Sequence, residues 1–377
     1  MSSRLNPQKI QTMKITAVEP FHISVPYNFG NTPENAAATQ WQKMETLFVK
    51  VTTDEGVMGW GEGFGLAACG ITKVAVEKAI APLAVGRDPT DIAALMRDIA
   101  YRQRNCSRNG PVGFALSALD IALWDIAGKR AGKPLYRLLG GSEAVELMPA
   151  YASLLRYGNA DVVRKNAAKA VERGYRHVKL HEIGIAEISA AREAIGADIE
   201  LTVDASCAWT VPAAIEVAKK LKPCNLKWLE EPLWPPEDYA GMARLKAESG
   251  TTTAAGENAG TLADIAQLLG TAHVDYVQPS VTKIGGVSAM RQVAEMARQN
   301  GPRIAPHSPY FGPGLIATIH FAASIPERPT IERFYLDLEA SPLGELVEAP
   351  GGFMRVPQGP GLGIDVDEAA LWKYRVN

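Results

Sequence analysis

The chain reads as an α/β protein, a (β/α)-barrel with a smaller α+β unit attached. Three observations predict this. From about Leu147 onward, short apolar runs alternate with segments of helical spacing. Within that region Asp204, Glu230 and Glu257 each close or follow a short apolar run. They stand about 25 residues apart, the length of one strand-helix-strand step. The segment before Leu147 instead reads as strands followed by helices, and the tail after Ser341 is rich in Gly and Pro.

Ile15 to Pro26 is apolar and β-branched enough for a strand. Leu47 to Val51 alternates, Asp54-Glu55-Gly56 turns, and Val57 to Glu62 returns as a hairpin partner. Asn28 to Pro33 reads as a flexible loop. Val74 to Val85 and Asp91 to Tyr101 have helical spacing. In Pro111 to Ala131, Ala115, Ala118, Ile121, Ala122, Trp124 and Ile126 form a wide apolar face, and Gly132 lies just beyond.

Eight strands follow: Met148 to Ser153, Tyr175 to His181, Glu200 to Asp204, Lys227 to Glu230, Thr252 to Gly256, Val274 to Pro279, Arg303 to His307 and Thr330 to Phe334. Between them come helices Ala160 to Arg173, Ile185 to Ile195, Val211 to Leu221, Pro236 to Glu248, Leu262 to Leu269, Val287 to Gln299 and Gly314 to Ser324. Joined by right-handed crossovers, these make a barrel. An open doubly wound sheet would usually carry a Gly-rich phosphate turn after its first strand, and none is present. Gly285-Gly286 is only a pair at a helix start, a weak phosphate signal. Gly352 to Val356 and Leu362 to Val366 read as a hairpin packing back on the amino-terminal unit. The expected units are residues 13–140, residues 145–340 and the returning tail 341–377.

The 377 residues are 47% hydrophobic and 21% charged, which suits one large unit plus a smaller one. A net charge of −2 and a pI near 6.3 speak against nucleic acid or an anionic membrane surface as partner. Cys69, Cys106, Cys207 and Cys224 show no paired spacing and read as reduced thiols of a cytoplasmic protein. No apolar run reads as long enough to span a bilayer. Met1 to Thr12 is polar and lacks the apolar centre of a signal peptide. The expected partner is a small-molecule carboxylate, and the expected assembly a homo-oligomer.

In a barrel the carboxyl ends of the strands face one mouth. Asp204, Glu230 and Glu257 would converge there, and three hard oxygen donors suit one Mg²⁺. Glu231 follows Glu230 by one residue, so period two points it away from the mouth. Lys179 and His181 alternate with Val178 and Leu180, which puts both polar side chains inside the barrel. A buried Lys needs an anionic partner, and a substrate carboxylate would supply one. The bland alternative is a Lys reaching solvent beside a satisfied His. His307 ends the seventh strand at the same mouth. Glu332, on the eighth, could orient a group or donate a proton, or form a salt bridge with Arg333 or Arg328. Ser280 puts a hydroxyl at the mouth, and Lys283 starts the following helix.

These residues resemble the enolase superfamily, in the mandelate racemase branch. The strings that carry the resemblance are Gly59-Trp60-Gly61-Glu62, Ala118 to Asp125, Trp228 to Pro232, Gly256-Glu257-Asn258 and Lys283 to Gly286. The resemblance covers the chain from Met13 onward. It implies a (β/α)7β barrel, a modified TIM barrel, beneath an α+β capping domain built from both termini. It also implies Mg²⁺ held by Asp204, Glu230 and Glu257, and abstraction of the proton α to a substrate carboxylate. Enolase-type sites pair a Lys or His base with one or two Mg²⁺ ions.

Three positions depart from the racemase pattern. Lys179-Leu180-His181 replaces Lys-x-Lys, Ser206 stands where an Asn is common, and Ser280 replaces the Asp that usually partners the strand-seven His. A Ser supplies a hydrogen bond without charge, so His307 is a weaker base.

The first functional expectation is a dehydratase acting on a sugar acid. Lys179 binds the carboxylate, His181 takes the α-proton, and His307 assists departure of the β-hydroxyl from the opposite face. The second is a racemase, epimerase or cycloisomerase using the same residues. The third is a Mg²⁺-binding barrel that has lost catalysis. Tyr27 to Thr32 with Gly63 to Gly70 would close the site, and Asn28 and Asn31 suit a polyhydroxylated ligand.

Overall fold

Strands that bury both faces need apolar residues at consecutive positions, and the central strand of the first unit has them. Leu47, Phe48 and Val49 are all fully buried, so neighbouring side chains enter two different cores. The computed structural model describes residues 13–30, 43–142 and 144–376. The polar start through Thr12 and the loop residues from Asn31 to Pro33 lie outside the described residues. Ile15–Asn28 (β1), Lys43–Thr53 (β2) and Met58–Gly63 (β3) form an antiparallel sheet, as the alternation predicts.

Helices cover one face of this sheet. The segment expected as one helix, Val74 to Val85, is instead three pieces: Cys69–Ala75 (α1), a π turn at Val76–Ile80, and Ala81–Ala84 (α2). Pro82 has no N–H for the regular ladder, and the turn before it widens. Ile92–Arg102 (α3) starts at Asp91, whose side chain accepts from Ala94 N–H. Pro111–Ala131 (α4) ends at Gly132 in a left-handed conformation. Helix α4 lies directly on β3. A Cβ at Gly61 would fall 1.9 Å from Ala118 O, and one at Gly59 2.1 Å from Ala122 O. Only glycine allows that approach. Leu135–Leu138 (α5) leads into the barrel.

The barrel strands are Leu147–Leu154 (β4), His177–Leu180 (β5), Glu200–Asp204 (β6), Trp228–Glu230 (β7), Thr253–Ala255 (β8), Tyr276–Val277 (β9), Arg303–Ile304 (β10) and Ile331–Phe334 (β11). Between them run Ala160–Glu172 (α6), Ile185–Ile195 (α7), Val211–Lys220 (α8), Tyr239–Ser249 (α9), Leu262–Gln267 (α10), Gly286–Asn300 (α11) and Pro313–Ser324 (α12). The strands are parallel in the order β10-β9-β8-β7-β6-β5-β4-β11. This is the (β/α)7β arrangement. Strand β10 and strand β11 are bridged by Ser308, whose N–H and hydroxyl donate to Glu332 Oε2 and Glu332 O, each at 3.0 Å.

Strands β9 and β10 are shorter than Val274 to Pro279 and Arg303 to His307 predicted. Pro279 and Pro306 lack the N–H that a central ladder needs, and pairing resumes only as a Ser280–His307 bridge. The Gly285-Gly286 pair lies against α4. Gly285 N–H donates to Ser117 Oγ and Ser288 N–H to Asp120 Oδ1, both on α4. Helix α4 is long and apolar enough to cross a membrane by length and composition, contrary to expectation. However, 72% of that window is buried, with α4 packed between β3 and α11.

Asp337–Leu338 (β12) pairs with the end of β1 and makes the first sheet four-stranded. Phe353–Arg355 (β13) pairs antiparallel with Leu147 to Pro149 of β4. The expected hairpin with Leu362 to Val366 does not form. Pro357 and Pro360 interrupt it, and Gly361 and Gly363 adopt positive φ of 70° and 62°. Instead Leu362 N–H donates to the buried Asp125 at 2.7 Å, which also accepts from Trp60 N–H at 2.9 Å. Glu368–Lys373 (α13) follows, and Arg375 bridges to Ile23 of β1.

Candidate active site

Parallel strands in register bring their ends level. Asp204 is the register partner of Glu230, and Glu257 lies two residues past the end of β8. Their carboxylates each offer an oxygen within 4.8 Å of the other two. The neighbouring Glu231 points elsewhere, as period two requires. It accepts from Gly256 N–H at 2.8 Å and lies beside Cys207. Asp204 is held in place by Ser206, whose N–H and hydroxyl both donate to its Oδ1. Glu230 Oε2 accepts from Trp228 Nε1 at 2.9 Å, the residue two before it on the same inward face.

Lys179 reaches into this group. Its Nζ lies 2.5 Å from Glu230, 2.9 Å from Glu332 and 3.1 Å from Asp204, with only 1% of the side chain exposed. Burial alone would lower its pKa. The three carboxylates outweigh burial and hold the ammonium well above its ordinary range. Burial also raises carboxylates, and Glu230, crowded by other acids, stays well above its usual range despite Lys179. At Asp204 the balance reverses, because Lys179 and His181 hold it well below. Glu332 is likewise lowered against burial, chiefly by Lys179 and His307. Glu332 also accepts from Ser153 Oγ at 2.9 Å. The salt bridge considered between Glu332 and Arg333 is not made, since Arg333 pairs with Glu348 at 2.8 Å.

The two imidazoles sit at opposite ends of the carboxylate row. His181 Nε2 lies 3.4 Å from Asp204, and His307 Nε2 lies 2.7 Å from Glu257. Burial would raise Glu257, but His307 outweighs it and brings that pKa down to about 2. His181 Nδ1 lies 2.6 Å from Leu154 O. His307 Nδ1 lies 3.1 Å from Ser280 Oγ and 3.3 Å from Tyr310 OH, and these two hydroxyls are themselves in contact. Lys283 Nζ sits 4.6 Å from the Phe64 ring centre.

Asn28, expected at the substrate, ends β1, and its Oδ1 accepts from Gly30 N–H at 2.9 Å. Sequence reasoning missed Tyr310, Ser153 and Ser308. Ser153 and Trp228 carried a period-two signal on their strands. Tyr310 had none, since it follows the irregular Ser308-Pro309.

Three buried carboxylates surround one ammonium, and the half-buried Glu257 lies beside His307, a gathering of negative charge that a divalent cation fits. Fold and mouth together define an enolase-type barrel. Residues 20–140 match the mandelate racemase / muconate lactonizing enzyme N-terminal domain, and residues 162–370 the enolase C-terminal domain-like family. The chain belongs to the mandelate racemase/muconate lactonizing enzyme family of the enolase superfamily. It is 32% identical over 383 residues to D-galactarolactone cycloisomerase of Agrobacterium fabrum, covering 97% of this chain and 99% of that one. It is 30% identical over 344 residues to arabinonate dehydratase of Saccharolobus solfataricus, covering 88% and 91%. Among solved structures, a racemase from Streptomyces coelicolor A3(2) with bound magnesium superposes with a TM-score of 0.82 at 28% identity, covering 96% and 100%.

Proposed function

We propose that the chain is a Mg²⁺-dependent hydro-lyase that dehydrates a sugar acid to a 2-keto-3-deoxy acid. One observation carries this reading. The two imidazoles have different partners, and these suit them to opposite proton roles. A backbone carbonyl can only accept, so His181 carries its proton on Nδ1 and offers Nε2 as a base. A carboxylate can only accept, so His307 carries a proton on Nε2, and the hydroxyls of Ser280 and Tyr310 can accept from Nδ1–H, so the ring can be held as the imidazolium that acts as an acid and is left neutral once it gives its proton. One ring is set to take a proton and the other to give one.

In this reading Asp204, Glu230 and Glu257 hold the metal. Mg²⁺ supplies, when bound, a divalent charge that polarises the substrate carboxylate. Lys179 neutralises the charge that grows as the α-proton leaves. Asp204, 3.4 Å from His181 Nε2, stabilises the imidazolium formed when that ring accepts the proton. His307 then protonates the departing β-hydroxyl. Glu332 holds Lys179 in position, Ser280 acts through His307, and Asn28 contacts the polyol.

A second reading is supported by the cycloisomerase relative that matches 97% of the chain. There the same base and acid open or close a lactone. The test is a screen of acid sugars and their lactones at fixed Mg²⁺ in D₂O. Dehydration yields a 2-keto product, whereas cycloisomerisation conserves mass. For the proposed roles, His181→Asn stops α-deuterium exchange, and His307→Asn keeps exchange but stops water loss. The reverse pattern exchanges the roles. No turnover of any acid sugar or lactone leaves a Mg²⁺-binding barrel without catalysis.

A further inference from the structure

Away from the barrel mouth, three side chains of unlike chemistry meet on the helix-covered face of the antiparallel sheet. His22 of β1 is the register partner of Leu47 on β2, so the two share a face. Glu45 lies two residues before Leu47 and shares it too. Cys69 opens α1, which covers that face. His22 Nε2 lies 3.0 Å from Glu45 Oε2, and each of His22, Glu45 and Cys69 offers a donor atom within 4.8 Å of the others. Cys69 and His22 are buried, while the Glu45 side chain is 31% exposed and leaves a way in from solvent.

We propose that His22, Glu45 and Cys69 form a second metal site, for a borderline-soft divalent ion such as Zn²⁺. The donors decide the ion. Imidazole nitrogen and thiolate sulfur favour Zn²⁺, whereas Mg²⁺ demands hard oxygens. The barrel mouth offers only carboxylates, so one chain carries two sites of opposite preference. Charge agrees. A neutral His22, an ionised Glu45 and a Cys69 thiolate sum to −2, which one divalent ion cancels. The thiol proton leaves to solvent as the ion binds. Without the ion, burial and the carboxylates of Glu45 and Glu62 push the Cys69 thiol well above its ordinary pKa. A plain His22–Glu45 ion pair would need no thiol beside it.

The experiment uses the full chain saturated with Mg²⁺, titrated with Co²⁺ as an optical stand-in and then with Zn²⁺. The expected result is one Co²⁺ per chain with a thiolate-to-cobalt absorption band, displaced by Zn²⁺. Cys69→Ser loses the band. His22→Gln and Glu45→Gln lose tight Zn²⁺ uptake measured by equilibrium dialysis. Cys207→Ser, at the other cysteine beside a carboxylate, keeps the band. Absence of a band, or a band that depends on Cys207, overturns the proposal. Thermal melts of the metal-free variants separate lost binding from lost folding. Should Cys69→Ser melt early, His22→Gln and Glu45→Gln decide, and undiminished Zn²⁺ uptake in both overturns the site.

Discussion

Lys179 holds together a group of carboxylates that would otherwise repel one another. Its ammonium contacts Glu230, Glu332 and Asp204 in the interior. Replacing it with Met keeps the volume and removes the charge. The expected outcome is a fall in kcat/KM of at least ~10²-fold, because its charge matters most as the substrate becomes an enolate. Near-native kcat/KM would refute the role. In the proposed mechanism Tyr310, 3.3 Å from His307 Nδ1, acts at the same scale through that ring. Tyr310→Phe removes one neutral hydrogen bond, so kcat should fall about tenfold with KM little changed. A rise in KM alone would make Tyr310 a binding residue instead. The contrast shows what the sequence reveals of a site. Glu230 and Lys179 were legible because regular strands fix where their side chains point, and His307 because it closes the apolar run that carries β10. Tyr310 lies beyond Pro306 and Pro309, where periodicity gives no direction.

Elements were legible where propensity and packing agree, and less so where proline intervened. Helix α4 runs from Pro111 to Ala131 as its apolar face predicts, while the segment Val74 to Val85, which contains Pro82, is split. The tail hairpin failed because no local signal reveals that Leu362 is claimed by Asp125, 237 residues away. One interaction between elements yields a pH prediction. His320 of α12 accepts from Tyr136 N–H of α5 at Nδ1 and donates from Nε2 to Leu362 O. Burial pushes its pKa down from 6.5 to about 4. A base with a depressed folded pKa binds its proton first when unfolded. Its stability contribution is therefore full above about pH 6.5 and lost as pH falls toward about 4. Urea midpoints across that window should drop more steeply for the native chain than for His320→Gln. Equal slopes would remove His320 from the account.

At the scale of the whole molecule, the barrel carries a concentration of buried negative charge that its own residues do not balance. Asp204, Glu230 and Glu332 lie around one ammonium with Glu257 close to Asp204 and Glu230, all on or just past strands of a single curled sheet. Relieving their repulsion should stabilise the fold, not merely the mouth. An ion that binds only the native state adds about 2.7 kcal/mol at a hundred times its Kd. Mg²⁺ should thus raise the melting temperature in a concentration-dependent way, and chelation should reverse the rise. Glu230→Gln should respond differently on two counts. Removing one acid lessens the repulsion, so the ion-free variant should melt no lower than the native chain. It also removes a donor, so the Mg²⁺-dependent rise should shrink or vanish. Calorimetry of both chains with and without Mg²⁺ measures all four states. A variant that keeps the full Mg²⁺ shift would place the ion away from Glu230, and with it the proposed centre of the chemistry.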